Sequence, residues 1–267
     1  MGGQPRSRVG EFALRVASAL VLIPFGLFVV FQGGALLSLA AAAFAAIMAF
    51  EWCRMAGQQP IWLACIAVAA ANLAFVFANT AVVSCALGVA AIAFGAMHRH
   101  EFTRAAFGIL YAGGLPFALQ VLRMGGPWDG QIIALILMGI VWTSDTGAYF
   151  AGRGFGGPSL SPDSPNKTWS GAIGGIVCGM LSGALAAGLA GGDLFSWIAM
   201  GAGVSLVAQL GDLFESQIKR TFGVKDASNL VPGHGGVMDR VDGLGAVCVL
   251  GVAAFLAWPS LADVLGV

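Results

Sequence analysis

Long apolar runs separated by short polar connections succeed one another from about residue 13 to residue 264. A hydrocarbon core about 30 Å thick needs roughly 20 mostly apolar residues per helix. By that measure nine spans are predicted, at approximately 13–31, 35–50, 61–77, 80–96, 105–122, 131–151, 170–190, 194–212 and 244–264. Residues 32–34 and 78–79 leave room only for tight helical hairpins. Backbone in lipid must satisfy its own hydrogen bonds, and these runs are too long and continuous for barrel strands. The predicted fold class is therefore all-α, a polytopic integral membrane protein of about nine transmembrane helices.

Composition agrees. The chain has 267 residues, 58% hydrophobic and 10% charged, against about 25% charged in soluble domains. Such a sequence cannot build a polar surface. Cys53, Cys65, Cys85, Cys178 and Cys248 form no CxxC pair and read as small buried hydrophobes, not as a disulfide or zinc framework. Ala13 to Phe31 is long enough to span, with no small-residue cleavage pattern after it, so a cleaved signal peptide is not expected. Formal net charge is zero, which gives no reason to expect a nucleic-acid partner.

The charges are unevenly placed. With the N-terminus in the cytoplasm, Arg6, Arg8, Arg15, Arg54, Arg99, Arg104, Arg153, Lys167, Lys219, Arg220, Lys225 and Arg240 all fall on the cytoplasmic side, and only Arg123 falls opposite. That satisfies the positive-inside rule and sets the expected orientation. Residues 1–130 then form a first membrane region of five spans. Residues 131–267 form a second, of four spans, with two long cytoplasmic connections, 152–169 and 213–243. Chemistry is expected on those connections and the helix ends beside them. Within span seven, Gly175, Gly179 and Gly183 lie on one helical face and allow a neighbour to approach closely.

Several polar residues need an explanation. Asp145 stands inside or at the end of span six, where a carboxylate faces a wet cavity or a partner; alternatively the span ends earlier and Asp145 is a helix terminus. Asp212, Ser216 and Lys219 share one face if span eight continues as a helix. Glu215 and Lys219, four apart, read as an ordinary surface ion pair. Asp239 and Asp242, three apart, would point the same way on a helix and repel unless a cation lay between them. A hard divalent ion such as Mg²⁺ suits such oxygens; the alternative is a solvated helix start whose acids favour the dipole. Gly233, Gly235 and Gly236 flank His234 and could turn backbone N–H groups toward an anion. Lys167 and Thr168 precede span seven, a position suited to phosphate. Gly152, Gly154 and Gly157 spell GxGxxG, but no βαβ unit is available to make it a dinucleotide fingerprint. Metal ligands and phosphate-binding cations within about thirty residues match what a nucleoside triphosphate or pyrophosphate requires.

The run SQIKRTFGVKDASNLVPGHGGVMDRVD, Ser216 to Asp242, closely resembles the signature of the phosphatidate cytidylyltransferase (CDP-diacylglycerol synthase) family. That signature is a Ser, Lys-Arg, four residues, Lys-Asp, Pro-x-His-Gly-Gly and Asp-Arg-x-Asp. SDTGAYFAGRGFG and SPNKTWSG resemble a second region of the same family. One departure is Ser170, where family members commonly carry Glu. The resemblance implies a polytopic enzyme that joins CTP and phosphatidic acid to give CDP-diacylglycerol and pyrophosphate. It also implies Mg²⁺ and a second, monovalent cation such as K⁺. The implied metal carboxylates are Asp212, Asp239 and Asp242, which with Lys219 and His234 make up the catalytic set. Asp145, Lys167, Thr168, Ser216, Lys219, Arg220, Lys225, Asp226, His234, Gly235, Gly236 and Arg240 are the implied substrate-binding residues. Membrane lipids are further expected partners, a homodimer is left open, and a bacterial inner membrane is the expected location.

Three other readings compete. A transporter would use Asp145 and the Gly-rich helices as an ion path, yet the polar residues gather on one face and no internal repeat is found. An enzyme that consumes CDP-diacylglycerol would need a DG-x2-AR pattern, which is missing. An inactive relative of the family would rest on Ser170 alone.

Overall fold

The computed structural model describes residues 20, 21, 23–230 and 235–267. The helices are α1 (Ile23–Gln32), α2 (Gly34–Ala56), α3 (Ile61–Ala74), α4 (Thr80–Met97), α5 (Phe102–Met124), α6 (Gly130–Phe155), α7 (Trp169–Ala190), α8 (Leu194–Thr221), α9 (Met238–Ala257) and α10 (Leu261–Leu265). Seven of the described helices, α2 and α4 to α9, are long and apolar enough to cross a membrane; α1 and α3 are shorter. The first expected span, 13–31, lies partly outside the described residues. The fold is all-α and polytopic, as expected.

Three boundaries differ from expectation. The helix of span eight does not stop at residue 212 but continues through charged residues to Thr221. The last span opens at Met238 and breaks at Trp258, so Asp239 and Asp242 ride on helix, not loop. In the first connection α6 runs on to Phe155, and β1 (Ser159–Ser161) pairs antiparallel with β2 (Ser164–Thr168). Gly156 and Gly157, at φ 62° and 112°, supply the left-handed backbone that turns the chain out of α6. Ser170 Oγ donates to the carbonyl of Gly156 and ties the hairpin to the start of α7.

Caps set the helix starts. Asn79, Asp129, Thr168 and Asp193 each accept a backbone N–H from the first turn that follows them. Hydrogen bonds from the Ser196 amide and hydroxyl hold the Asp193 carboxyl below the usual carboxylate range.

Packing follows membrane rules. Large apolar side chains such as Phe77, Phe150 and Leu189 face outward, while Ser38, Asn72, Gln120, Ser144 and Ser205 are buried. Pro116 lies inside α5, where it lacks the N–H that would bond the fourth carbonyl back. The next carbonyl, of Gly113, accepts from Asn72 Nδ2 at 3.1 Å, and Gln120 Nε2 donates to Asn72 Oδ1 at 2.8 Å. Ser144 and Ser205 hydroxyls meet at 2.6 Å between α6 and α8. The Gly175–Gly179–Gly183 face packs on α8, as the spacing predicts: a Cβ on Gly179 would lie 2.6 Å from the Gly201 carbonyl oxygen. An apolar groove of about 1050 Å³ opens between α6 and α7 beside Trp142, Phe150, Ile173 and Leu181. By helical register it lies across α6 from Asp145.

Candidate active site

The second half of α8 builds most of the site. Asp212, Glu215 and Lys219 recur at three and four residues along one helical face. Against that face α9 sets its first two turns, with Asp239 and Asp242. Two clusters result, one acidic and one paired.

In the acidic cluster, one carboxylate oxygen each from Asp212, Glu215 and Asp242 lie within 4.8 Å of one another. Glu215 is fully buried; its Oε2 meets Lys219, while its Oε1 has no hydrogen-bond partner among the described residues. Three like charges so close repel strongly in a dry setting. The donors are all hard oxygens at a spacing that one small cation could bridge, which fits a divalent ion such as Mg²⁺.

In the paired cluster Lys219 Nζ stands 2.6 Å from Glu215 Oε2 and 2.7 Å from Asp239 Oδ1. Asp239 Oδ2 also accepts from the amides of Gly236, at 2.8 Å, and Ala227, at 3.1 Å. Asp239 thus faces Lys219 and the connecting loop, while Asp242 faces Asp212 and Glu215. A single bearing for both, as their spacing suggested, is not what the helix gives. Lys167, arriving from β2, forms an ion pair with Asp212. Four carboxylates (Asp212, Glu215, Asp239, Asp242) against two ammoniums (Lys167, Lys219) leave two formal negative charges. That imbalance again suits a divalent cation.

Asp145 interacts electrostatically with Asp212 and Lys167. Since α6 continues ten residues past it, Asp145 is not a helix terminus. Thr168 caps α7, accepting from Gly171 N at 3.1 Å, so its hydroxyl already serves the helix start. Ser216 sits beside Glu215 on α8. Arg220 donates to the Val224 carbonyl at 2.8 Å. Arg220, Lys225, Asp226 and Arg240 are exposed around the loop and the start of α9. His234 lies outside the described residues. The anions that the Gly235–Gly236 backbone meets are the chain's own carboxylates. A Cβ on Gly236 would fall 2.8 Å from Glu51 Oε1 and 3.1 Å from Asp239 Oδ2.

Two residues escaped the sequence reading. Glu215 looked like half of a surface ion pair, yet it is buried and shared between both clusters. Glu51, at the end of α2, is buried as well and grips the loop that precedes α9. An acid set between Phe50 and Trp52 at the edge of an apolar run was the available signal.

Comparison with known proteins places the chain. It is 48% identical to the phosphatidate cytidylyltransferase of Brucella suis over 149 residues, 54% of either chain. It is 39% identical to that of Haemophilus influenzae over 145 residues, 49% of this chain and 50% of the relative. Those alignments span about half of the relatives' length. With the Pseudomonas aeruginosa phosphatidate cytidylyltransferase the identity is 33% over 272 aligned positions, 91% of this chain and 96% of the relative. The model of the cytidylyltransferase family matches residues 13–258, and with that match over nearly the whole chain, this polytopic membrane protein belongs to the cytidylyltransferase family.

Proposed function

We propose that the chain transfers the cytidylyl group of CTP to phosphatidic acid, giving CDP-diacylglycerol and pyrophosphate. The observation that carries this reading is the meeting of Asp212, Glu215 and Asp242 beside Lys167 and Lys219, in a chain whose relatives bear that enzyme's name.

A phosphate oxygen of the lipid attacks the α-phosphorus of CTP, and the bond to the pyrophosphate oxygen breaks. The attacking phosphate is already anionic, so the difficulty is one anion approaching a polyanion. Asp212, Glu215 and Asp242 would hold Mg²⁺, which when bound offsets phosphate charge and orients the reacting groups. Asp239 keeps Lys219 at the edge of that triplet by a direct ion pair. Lys167, Arg220, Lys225 and Arg240 supply cations for phosphate oxygens, Arg220 and Arg240 with forked donors. Asp145, Thr168, Ser216, Asp226, Gly235 and Gly236 are proposed as further substrate-binding residues, and His234 is proposed to bind a phosphate oxygen or to assist proton transfer. CTP is soluble and the lipid headgroup interfacial, so the site belongs at the cytoplasmic face of the bacterial inner membrane, with membrane lipid as co-substrate. A second copy of the chain is left as a partner to be tested by the mass of the detergent-solubilised particle.

The test uses detergent-purified protein with CTP, phosphatidic acid and Mg²⁺, following pyrophosphate and lipid product together, with K⁺ and Na⁺ compared. Matching CDP-diacylglycerol and pyrophosphate, abolished by EDTA, is expected. Folded protein that makes neither would sink the reading. Ser170→Glu would then ask whether the departure from the family is the defect.

A further inference from the structure

We propose that Glu51 is a positioning residue for this site, reaching from α2 to fix the start of α9 and so the place of Asp242. The inference rests on the reading of the Asp212–Glu215–Asp242 triplet given above.

Glu51 is fully buried. Its Oε1 accepts from Val237 N at 2.8 Å and from Ser228 Oγ at 2.5 Å; its Oε2 accepts from Met238 N at 2.7 Å. Both oxygens are therefore engaged, by groups 177 to 187 residues distant in the chain. Two of the donors are amides at the opening of α9, among the orphan N–H groups that every helix leaves there. Val237, at the N-cap, makes no side-chain cap; a carboxylate from another helix takes that place, and its charge suits the positive end of the dipole.

The geometry ties this cap to the chemistry. Asp242 follows Met238 by four residues, one turn further along α9. A shift of the α9 start displaces Asp242 by a like amount relative to Asp212 and Glu215 on α8. Asp239, one residue after Met238, holds Lys219 from the same turn. Gly236 is pressed between Glu51 and Asp239, where a Cβ would sit 2.8 Å from the first and 3.1 Å from the second. The neighbouring Trp52 extends the brace, its ring centroid 5.5 Å from that of Phe222, just beyond α8. Among the described residues no hydrogen bond or ion pair joins Glu51 to Asp212, Glu215 or Asp242, so the effect acts through α9.

The experiment compares Glu51→Gln with a core control, Val68→Ala, at a buried position on α3. Two readings are taken: turnover in the lipid assay, and the rise in Tm that Mg²⁺ produces in detergent. Glu51→Gln is expected to lower kcat about 10–100-fold, the usual penalty for losing a residue that orients a ligand, and to shrink the Mg²⁺-induced rise. Val68→Ala should lower Tm while keeping the rise. The proposal is overturned if Glu51→Gln keeps both kcat and the Mg²⁺ response, or loses only what Val68→Ala loses at equal Tm. Should Glu51→Gln not fold, Ser228→Ala removes one donor only and should show both changes at about twofold or more; wild-type behaviour there overturns the proposal. The two readings separate the hypotheses. A wild type that makes no CDP-diacylglycerol refutes the proposed reaction, whereas the Mg²⁺-induced shift still tests Glu51.

Discussion

Glu215 and Asp239 flank the same ammonium, yet they should answer differently to amide substitution. Glu215 belongs to a repulsive triplet, and its Oε1 has no hydrogen-bond partner among the described residues. Glu215→Gln removes one of three crowded charges, so Tm in EDTA should hold or rise. Turnover should fall about 10²–10³-fold, since one of the three proposed metal ligands is gone. Asp239 is satisfied by Lys219 and two amides. Asp239→Asn takes one of two carboxylates from a mostly buried ammonium and should lower stability by about 1–3 kcal/mol, seen as a drop in Tm with and without Mg²⁺. Equal Tm losses in the two variants would refute the division of roles. Asp212, Lys219 and Asp242 were legible in the sequence because charge next to a long apolar run is costly and needs a reason. Glu215 was not, because a partner four residues on explained it locally. Its burial depends on α9 closing over it, and no pattern along α8 encodes that.

At the scale of the element, apolar runs located the helices well, because lipid imposes length and polarity on every span. They placed the ends less well. The charged turns of α8 after Asp212 stay helical, with Lys219 paired to Glu215 on the same helix and to Asp239 on α9, the second a contact between elements that hydropathy does not register. The β1–β2 hairpin is likewise invisible to an apolar count, its strands being short and mostly polar and its ends held by Ser170 and the Gly156–Gly157 turn. The glycine face of α7 was legible, since small residues four apart serve one purpose. Gly179→Leu should push α7 from α8, because its Cβ alone meets the Gly201 carbonyl oxygen at 2.6 Å. A loss of about 1–3 kcal/mol is expected, measured as a lowered Tm. Gly203→Leu, at a position with open space around it, should leave Tm near wild type.

For the whole molecule, the contacts sort the charges. Glu51 on α2 meets the start of α9, Arg104 on α5 covers Phe222 after α8, and Lys167 before α7 meets Asp212. The described basic residues other than Arg123 therefore gather at the end that holds the acidic cluster. Arg123 sits at the other end, donating to the carbonyls of Val30 and Phe31 at 2.8 and 3.0 Å. With the proposed orientation, a cysteine at Lys225 in a cysteine-free background should resist an impermeant maleimide in intact cells, and one at Pro127 should react. The reverse pattern would invert the topology.

The grip of Glu51 on Val237 and Met238 also has a meaning for biogenesis. The chain is made from its N-terminus at roughly 5–20 residues per second, and Met238 follows Glu51 by 187 residues. For about 10–40 s after α2 enters the bilayer, its carboxylate has none of the amides that later surround it. A buried acid without donors is unstable in lipid, so α2 is expected to hold that turn at the water interface until α9 arrives. Chains truncated after residue 230 should leave this step undone and be cleared by membrane proteases faster than chains truncated after Ala257, a difference that a pulse–chase measurement would read directly.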